Sequence, residues 1–250
     1  MATITKDVFK NELLNLLDVL YDKEISNIKD AAKVCSDSIK NGGVVHVFGS
    51  GHSIGFGMEM RNRIGSLVPI HQIDMADFVL KGKVTYQVFK DQDVIFERTP
   101  GIADQLYDLY DIRKEDAFII ISNSGINGVV IDMAITARER GHKIIVVTSW
   151  QHTSVEDSRH PSGMKLYQLA DVVIDNCGPQ GDALIHTGNG GEKICSVSSI
   201  TGAFIAQSIA TEAVANLQEE GLEAPIVWDE TLEGAKEHNQ ALLEKYKGRV

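Results

Sequence analysis

Cysteine is scarce in this sequence: Cys35, Cys177 and Cys195 are the three in 250 residues. No two of them form a CxxC pair, and an odd number cannot close into an intramolecular framework, so a disulfide scaffold is excluded. Cys35 sits on a helical apolar stripe, the place of a reduced core thiol in a cytosolic protein. Metal-ligand spacing is missing as well. The eight histidines are scattered, with His152 and His160 in loop material, and neither a metal nor a cofactor is expected. No apolar run approaches the roughly 20 residues of a membrane span, and Met1 to Lys6 holds no apolar leader core. The expectation is a soluble, cytoplasmic chain without a membrane partner.

Positive charge is also in short supply. Lys and Arg number 24 against 35 Asp and Glu, a net charge of -11. Such a chain repels nucleic acid and anionic lipid at long range, which excludes a nucleic-acid partner. An anionic metabolite can bind only in a local pocket of backbone N–H groups and hydroxyls. Internal repeats, low-complexity tracts and flexible linkers are absent too.

What the chain does have is apolar residues, 43% of the total, enough for a sizeable core. From Lys6 to Asn41 they recur at helical spacing. Ile25, Ile28, Ala32, Cys35 and Ile39 make one stripe, and Leu13, Leu14, Leu17 and Leu20 make another. The two are out of step near Asp22, which predicts two helices ended by Asn41-Gly42-Gly43. Beyond them come short, fully apolar runs: Val44 to Phe48, Leu67 to Ile70, Phe118 to Ile121, Ile144 to Val147 and Val172 to Ile174. Runs without alternation mark strands buried on both faces. Interleaved with helices, they predict a three-layer αβα fold with a five-stranded parallel sheet. A helix follows the first run to about Ser66, and Ser196 to Leu217 reads as a buried helix. Ile73 to Leu109 breaks the rhythm. It reads as an insertion with extended pieces at Val84 to Tyr86 and Val94 to Phe96, followed by a helix. One domain over 1–250 is the simplest organisation, with N-terminal helices at 1–41, the α/β core at 44–220 and a tail at 221–250.

Two loops stand out. Gly49-Ser50-Gly51-His52-Ser53 follows the first strand and opens a helix, where free N–H groups and the helix dipole attract an anion. Ligands of open α/β sheets bind outside the carboxyl ends of the strands. A dinucleotide fingerprint needs glycine at position 54, where this chain has Ile54, and no Lys-Ser/Thr pair marks a nucleotide P-loop. The second loop, Ser122-Asn123-Ser124-Gly125-Ile126-Asn127, occupies the same position after the third strand. Either loop alone reads as a capped turn. Together they are two hydroxyl-bearing turns at one sheet edge, able to converge on a phosphate.

These loops, the N-terminal helices and the long C-terminal helix resemble the sugar isomerase (SIS) domain family. That family includes phosphoheptose isomerase, the isomerase half of glucosamine-6-phosphate synthase and N-acetylmuramic acid 6-phosphate etherase. Its Ser-x-Ser-Gly-x-Thr/Asn phosphate signature matches Ser122 to Asn127. The segments ISNSG, SRHPSG, VVIDN with GDA, and EHN are similar to stand-alone SIS proteins of the phosphoheptose isomerase type. The resemblance implies a flavodoxin-like sheet, a sugar-phosphate ligand and a homodimer with its active sites near the interface. It also implies that Ser50, Ser53, Ser122, Ser124 and Asn127 hold the phosphate, with Gly51 and Asn123 beside them, and that Ser149 touches the sugar.

Aldose–ketose isomerisation needs a base to move a proton between adjacent carbons and a group to open the ring. By resemblance the base is Glu59, although its distance from Ser53 along the chain is shorter than in phosphoheptose isomerases. His52 and Glu59, seven residues apart, would lie roughly 10 Å apart along a helix. The competing reading of Glu59 is an i,i+4 pair with Arg63. His238 is the candidate ring-opening histidine, reached from a neighbouring subunit, or else a solvated helix residue. Asp182, at the correct sheet edge, is a substrate contact or a turn residue. Arg159-His160-Pro161 and Glu97-Arg98 fall in loops that the pattern does not place. Three functions follow: isomerisation, elimination or deamination of an amino-sugar phosphate, and non-catalytic phosphosugar sensing. A direct transcription factor is disfavoured, because only about 40 residues precede the sheet.

Overall fold

The apolar runs become strands because each can bury both faces. The computed structural model describes residues 4–90, 96, 99, 101–188 and 190–250. Strands β1 (Val45–Gly49), β2 (Ile70–Ile73), β3 (Ala117–Ile121), β4 (Lys143–Thr148) and β5 (Val172–Asp175) form one sheet in the order β2-β1-β3-β4-β5. All four pairings are parallel. Successive side chains point to opposite faces. Val45, Val47, Ile119, Ile121, Ile145 and Val147 pack on one side against helices α1 (Lys6–Lys40), α2 (Ile54–Met60) and α8 (Ser198–Glu219). Phe48, Phe118, Ile120, Ile144 and Val146 pack on the other against α5 (Ile102–Tyr107) and α6 (Gly128–Glu139). This is the expected αβα sandwich.

Register positions the site. Gly49 pairs with Ile121, Ile121 with Val147, and Thr148 with Asp175. The strands therefore end almost level, and the loops leaving β1, β3, β4 and β5 emerge side by side along one edge.

Several expectations change. The N-terminal region is one helix, α1, and not two. Its buried stripe runs Leu20, Glu24, Ile28, Ala31, Cys35, Ile39, straight past Asp22, which faces solvent. The second strand starts at Ile70 because Leu67 and Val68 are already engaged: Leu67 bridges Ile226, and the Val68 N–H donates to the Pro225 carbonyl at 2.8 Å. Helix α2 stops at Met60, since Arg61 is extended and Asn62 has φ 53°. In the insertion, the Val84–Tyr86 segment is a turn leading into helix α4 (Tyr86–Phe89), where Thr85 caps the Val88 N–H. Short helix α3 (Asp77–Leu80) precedes it. Val94, Ile95, Glu97, Arg98 and Pro100 lie outside the described residues.

Four elements, β6 (Ala183–His186), β7 (Lys193–Ser196), α7 (Trp150–Thr153) and α9 (Ala235–Lys245), have no counterpart among the expected ones. Strands β6 and β7 form an antiparallel hairpin between β5 and α8. The tail folds back through helix α9, and its Arg249 is buried against Asp116, just before β3. The short helix α7 follows β4 directly. Among the described residues no helix is long and apolar enough to cross a membrane.

Candidate functional site

The first loop is shaped by close approach. After β1 the chain runs through Ser50 into a 3-10 turn, Gly51–Ser53, with Gly51 at φ 60°. A Cβ on Gly49 would stand 2.8 Å from Ser53 Cβ and 3.1 Å from the Ile121 carbonyl oxygen. Only glycine lets Ser53 fold down over the end of β3. The hydroxyls of Ser50 and Ser53 and the imidazole of His52 make no hydrogen bond among the described residues, and His52 is exposed.

The second loop is held from within. Ser122 is buried, and its Oγ accepts from the Gly125 N–H at 3.1 Å. Gly125 is the turn's pivot, with φ 65° and no room for a side chain. A Cβ there would come within 2.7 Å of Thr153 Oγ1 and 2.9 Å of Thr148 Oγ1. The carbonyl of Asn123 accepts from the Ser149 N–H at 3.0 Å, and its Oδ1 accepts from Asn176 Nδ2 at 2.8 Å. Ser124 is half-buried with its hydroxyl unpaired among the described residues. Asn127 is the residue before α6, in extended conformation, and its Oδ1 accepts from Arg159.

Both loops open onto one narrow crevice of about 20 Å³, well below the usual volume of a ligand pocket. His52, Ser53 and Phe56 form one wall and Asn123 another. Asn176, after β5, lies across from them, with Ser198, Ser199 and Gly202 at the start of α8. The sequence reading missed Asn176 and the α8 terminus. Asn176 was visible only as the last residue of VVIDN, and nothing local ties α8 to the first loop.

The remaining expected residues are placed elsewhere. Ser149 is fully buried: its Oγ donates to the Gly178 carbonyl at 2.6 Å and accepts from the His152 N–H at 3.2 Å. It braces the segments that follow β4 and β5 against each other and is not among the residues lining the crevice. Asp182, at φ 70°, accepts from the Val197 and Ser198 N–H groups (3.2 and 2.7 Å) and the Ser198 hydroxyl (2.9 Å). It caps α8 across the hairpin. Glu59 pairs with Arg63 and accepts from Gln207 Nε2 at 2.8 Å, outside the crevice lining. His238 stacks on Trp228 with centroids 3.9 Å apart and hydrogen-bonds the Ile226 carbonyl at 2.9 Å. Its neighbours there are Ile39, Lys40 and Leu217, so within one chain it lies at the opposite end of the sheet. His52 and Glu59 are thus not brought together on the crevice.

Behind the site, Asp175 accepts from the Trp150 N–H (2.8 Å), the Cys177 N–H (3.0 Å) and Lys23 of α1 (2.6 Å). Burial pushes the Cys177 thiol up to about 11 and the Cys35 thiol to about 12, which favours the neutral thiol over the nucleophilic thiolate. No group of three or more His, Cys, Asp or Glu side chains among the described residues could hold a metal ion.

A doubly wound α/β protein with two hydroxyl-bearing turns meeting at one carboxyl edge is therefore the class that fold and site define. The chain belongs to the SIS domain family, whose profile matches residues 8–149. A UPF0309 protein of Geobacillus thermodenitrificans is 36% identical over 245 residues, covering 98% of this chain and 96% of that one. A UPF0309 protein of Listeria innocua is 37% identical over 238 residues, 95% and 94% of the two chains. Among solved structures, phosphoheptose isomerases from Neisseria gonorrhoeae and Francisella tularensis share the fold. The first has a TM-score of 0.53 at 16% identity over 84% of this chain and 96% of that one. The second has a TM-score of 0.52 at 16% identity over 83% and 95%.

Proposed function

We propose that the chain binds a sugar phosphate, with the phosphoryl group on the Ser122–Asn127 turn and the sugar in the crevice toward His52 and the start of α8. The supporting observation is the convergence of both turns on one crevice, lined by Ser53 of the first and Asn123 of the second, with the hydroxyls of Ser53 and of Ser124, next to Asn123, unpaired among the described residues. In a chain of net charge -11, amide and hydroxyl donors at the start of a helix can hold an anion without a large electropositive surface. Membership of the SIS family and the shared fold with phosphoheptose isomerases support the same ligand class.

The reaction we infer is aldose–ketose isomerisation. His52 is the titratable side chain that lines the crevice, and it is placed to move a proton at the sugar carbons. Glu59 takes that role only by leaving Arg63 and Gln207. His238 takes part only if a second copy presents it, so the isomerase reading includes a homodimer, working in the cytoplasm. One observation favours a binding-only sensor: among the described residues, a single chain supplies the crevice with one titratable group, His52. Incubating the protein with hexose, heptose and amino-sugar phosphates, followed by NMR, separates the readings. Interconversion of an aldose and a ketose phosphate is the expected result. Binding without conversion supports the sensor, release of water or amine supports elimination, and no binding by any sugar phosphate overturns the assignment.

A further inference from the structure

We propose that Arg159 is the counter-charge for the phosphoryl group at the Ser122–Asn127 turn, making that turn selective for a dianion. The inference rests on the sugar-phosphate reading above and adds a charge-selecting residue to it. Sequence pattern alone does not place Arg159. In the fold its backbone N–H donates to the Ile126 carbonyl at 3.0 Å, and its guanidinium donates to Asn127 Oδ1 at 3.0 Å. The side chain therefore lies against the last residue of the turn, at the start of α6.

Three features separate this arginine from an ordinary surface cation. First, it is exposed, yet among the described residues no carboxylate lies within ion-pair distance of it. Arg63, Arg113, Arg140 and Arg249 have carboxylate partners; Arg61 and Arg138 lack one among the described residues as Arg159 does, but neither hydrogen-bonds the Ser122–Asn127 turn. Second, its position is electrostatically unfavourable unless an anion joins it. The free N–H groups at the start of a helix carry partial positive charge, which favours anions and repels cations. A twelve-residue helix begins beside Asn127. A phosphoryl dianion reverses the sign of that interaction and meets both positive groups at once.

Third, the segment holding Arg159 is fastened on both sides. His160, with a side chain 12% exposed, hydrogen-bonds Asp132 of α6 through Nε2 at 2.8 Å. Ser158 Oγ donates to the Met164 carbonyl at 2.6 Å, and the Leu166 N–H donates to the Gly125 carbonyl at 2.9 Å. These bonds tie residues 158–166 to the turn independently of any ligand. Ordering a flexible arginine normally costs binding free energy, and here the backbone is already in place. The contact with Arg159 also occupies Asn127 Oδ1, leaving the amide's Nδ2 as the donor group for a ligand oxygen. Guanidinium groups match phosphoryl oxygens in planar, two-point geometry, which suits this task better than an ammonium.

The test uses fructose 6-phosphate, inorganic phosphate and unphosphorylated fructose as probes, titrated into the full-length protein and into Arg159→Gln, Arg159→Lys and Ser124→Ala variants. Charged hydrogen bonds predict a loss of roughly ten- to hundredfold in affinity for both phosphate probes in Arg159→Gln, with partial recovery in Arg159→Lys. Wild-type affinity is expected to rise as the phosphoryl group becomes a dianion around pH 6, and Arg159→Gln to flatten that rise and weaken the salt dependence. A purely structural loop residue would move neither profile. Unchanged affinity and profiles in Arg159→Gln, with Ser124→Ala impaired, overturn this inference and leave the sugar-phosphate reading standing. Equal losses in Arg159→Gln and Arg159→Lys with wild-type pH and salt profiles overturn it as well. Phosphate probes that bind neither wild type nor variants overturn both.

Discussion

Near the amino-terminal end of the sheet one polar network is buried and hydrogen-bonded within itself; at the carboxyl end, hydroxyls are left without partners among the described residues. His46 of β1 hydrogen-bonds Asp116 through Nε2 (3.0 Å) and His71 of β2 through Nδ1 (3.0 Å). Arg249 reaches Asp116 with its Nη2, 2.7 Å from each carboxylate oxygen, and the N–H groups of Val44 (2.8 Å) and Arg113 (2.7 Å) complete the shell. The carboxylate accepts only, so His46 carries its proton on Nε2 and offers a bare Nδ1 to the Nδ1–H of His71. This chain of bonds fastens the tail to the sheet. At the other end, Ser53, Ser124 and Ser199 line or flank the crevice without hydrogen-bond partners among the described residues. Buried polar groups normally find partners within the protein. Accessible ones left unpaired by a rigid scaffold are available to a ligand. One end uses its polarity for stability, the other for recognition, and substitutions should divide the same way.

The largest expected effect is at the amino-terminal end. Asp116→Asn leaves the Arg249 guanidinium buried without a counter-charge, and breaking a buried pair costs about 3–5 kcal/mol. Urea unfolding at pH 7 should show that loss, while the folded fraction keeps wild-type affinity for fructose 6-phosphate. A binding loss of equal size would erase the division between the ends.

Acid should act on the same network. Burial, opposed by the Asp116 hydrogen bond, lowers the His46 pKa. Burial and the neighbouring His46 lower His71 to about 3. A histidine whose folded pKa lies below its unfolded value of about 6.5 contributes stability above that pH and loses it as pH falls toward the folded pKa. Burial raises Asp116, but the bonds from His46, Arg113, Arg249 and Val44 outweigh it and hold the carboxyl well below the usual range. Its contribution disappears only below about pH 4. Stability should therefore fall between about pH 6.5 and 3, by up to about 1.4 kcal/mol per pH unit for each histidine. His71→Gln should flatten the upper part of that curve in chemical denaturation measured across the range.

How much of this was legible follows from the range of each signal. The strands were readable because a doubly buried strand is apolar at every position, as in Phe118 to Ile121. The two turns were readable because Gly49 and Gly125 are each required by a contact with the adjoining loop or strand end, and serine clusters beside them. The continuity of α1 was hidden by Glu24, a charged residue 3% exposed on the apolar stripe, bonded to Asn27 at 2.7 Å. Its charge made the stripe look broken at the neighbouring Asp22. Leu67 and Val68 looked like strand residues because their partner, Ile226 with Pro225, lies far along the chain. Asp182, Ser149 and Glu59 are polar residues at or near the correct edge. Their hydroxyl and carboxyl groups are used by Ser198, Gly178 and Arg63, and only the folded chain shows which polar groups are already engaged. Arg159 was unplaced for the same reason in reverse, because it approaches the turn from a loop more than 30 residues later.

The smallest expected change in stability, and a direct probe of the recognition end, is Ser124→Ala. The hydroxyl is half-buried and bonds to nothing among the described residues, so its removal leaves no partner stranded. Surface substitutions of that kind stay within about 0.5 kcal/mol. A hydroxyl donating to a phosphoryl oxygen contributes about 1.5–3 kcal/mol, so affinity for fructose 6-phosphate should fall roughly ten- to hundredfold. Gly125→Ala sharpens the point, because it deforms the same turn through Thr153 and Thr148 and should lose both affinity and stability. If Ser124→Ala instead destabilised the fold and left affinity intact, the hydroxyl would be a structural group whose partner the fold supplies, and the carboxyl end would behave like the amino end.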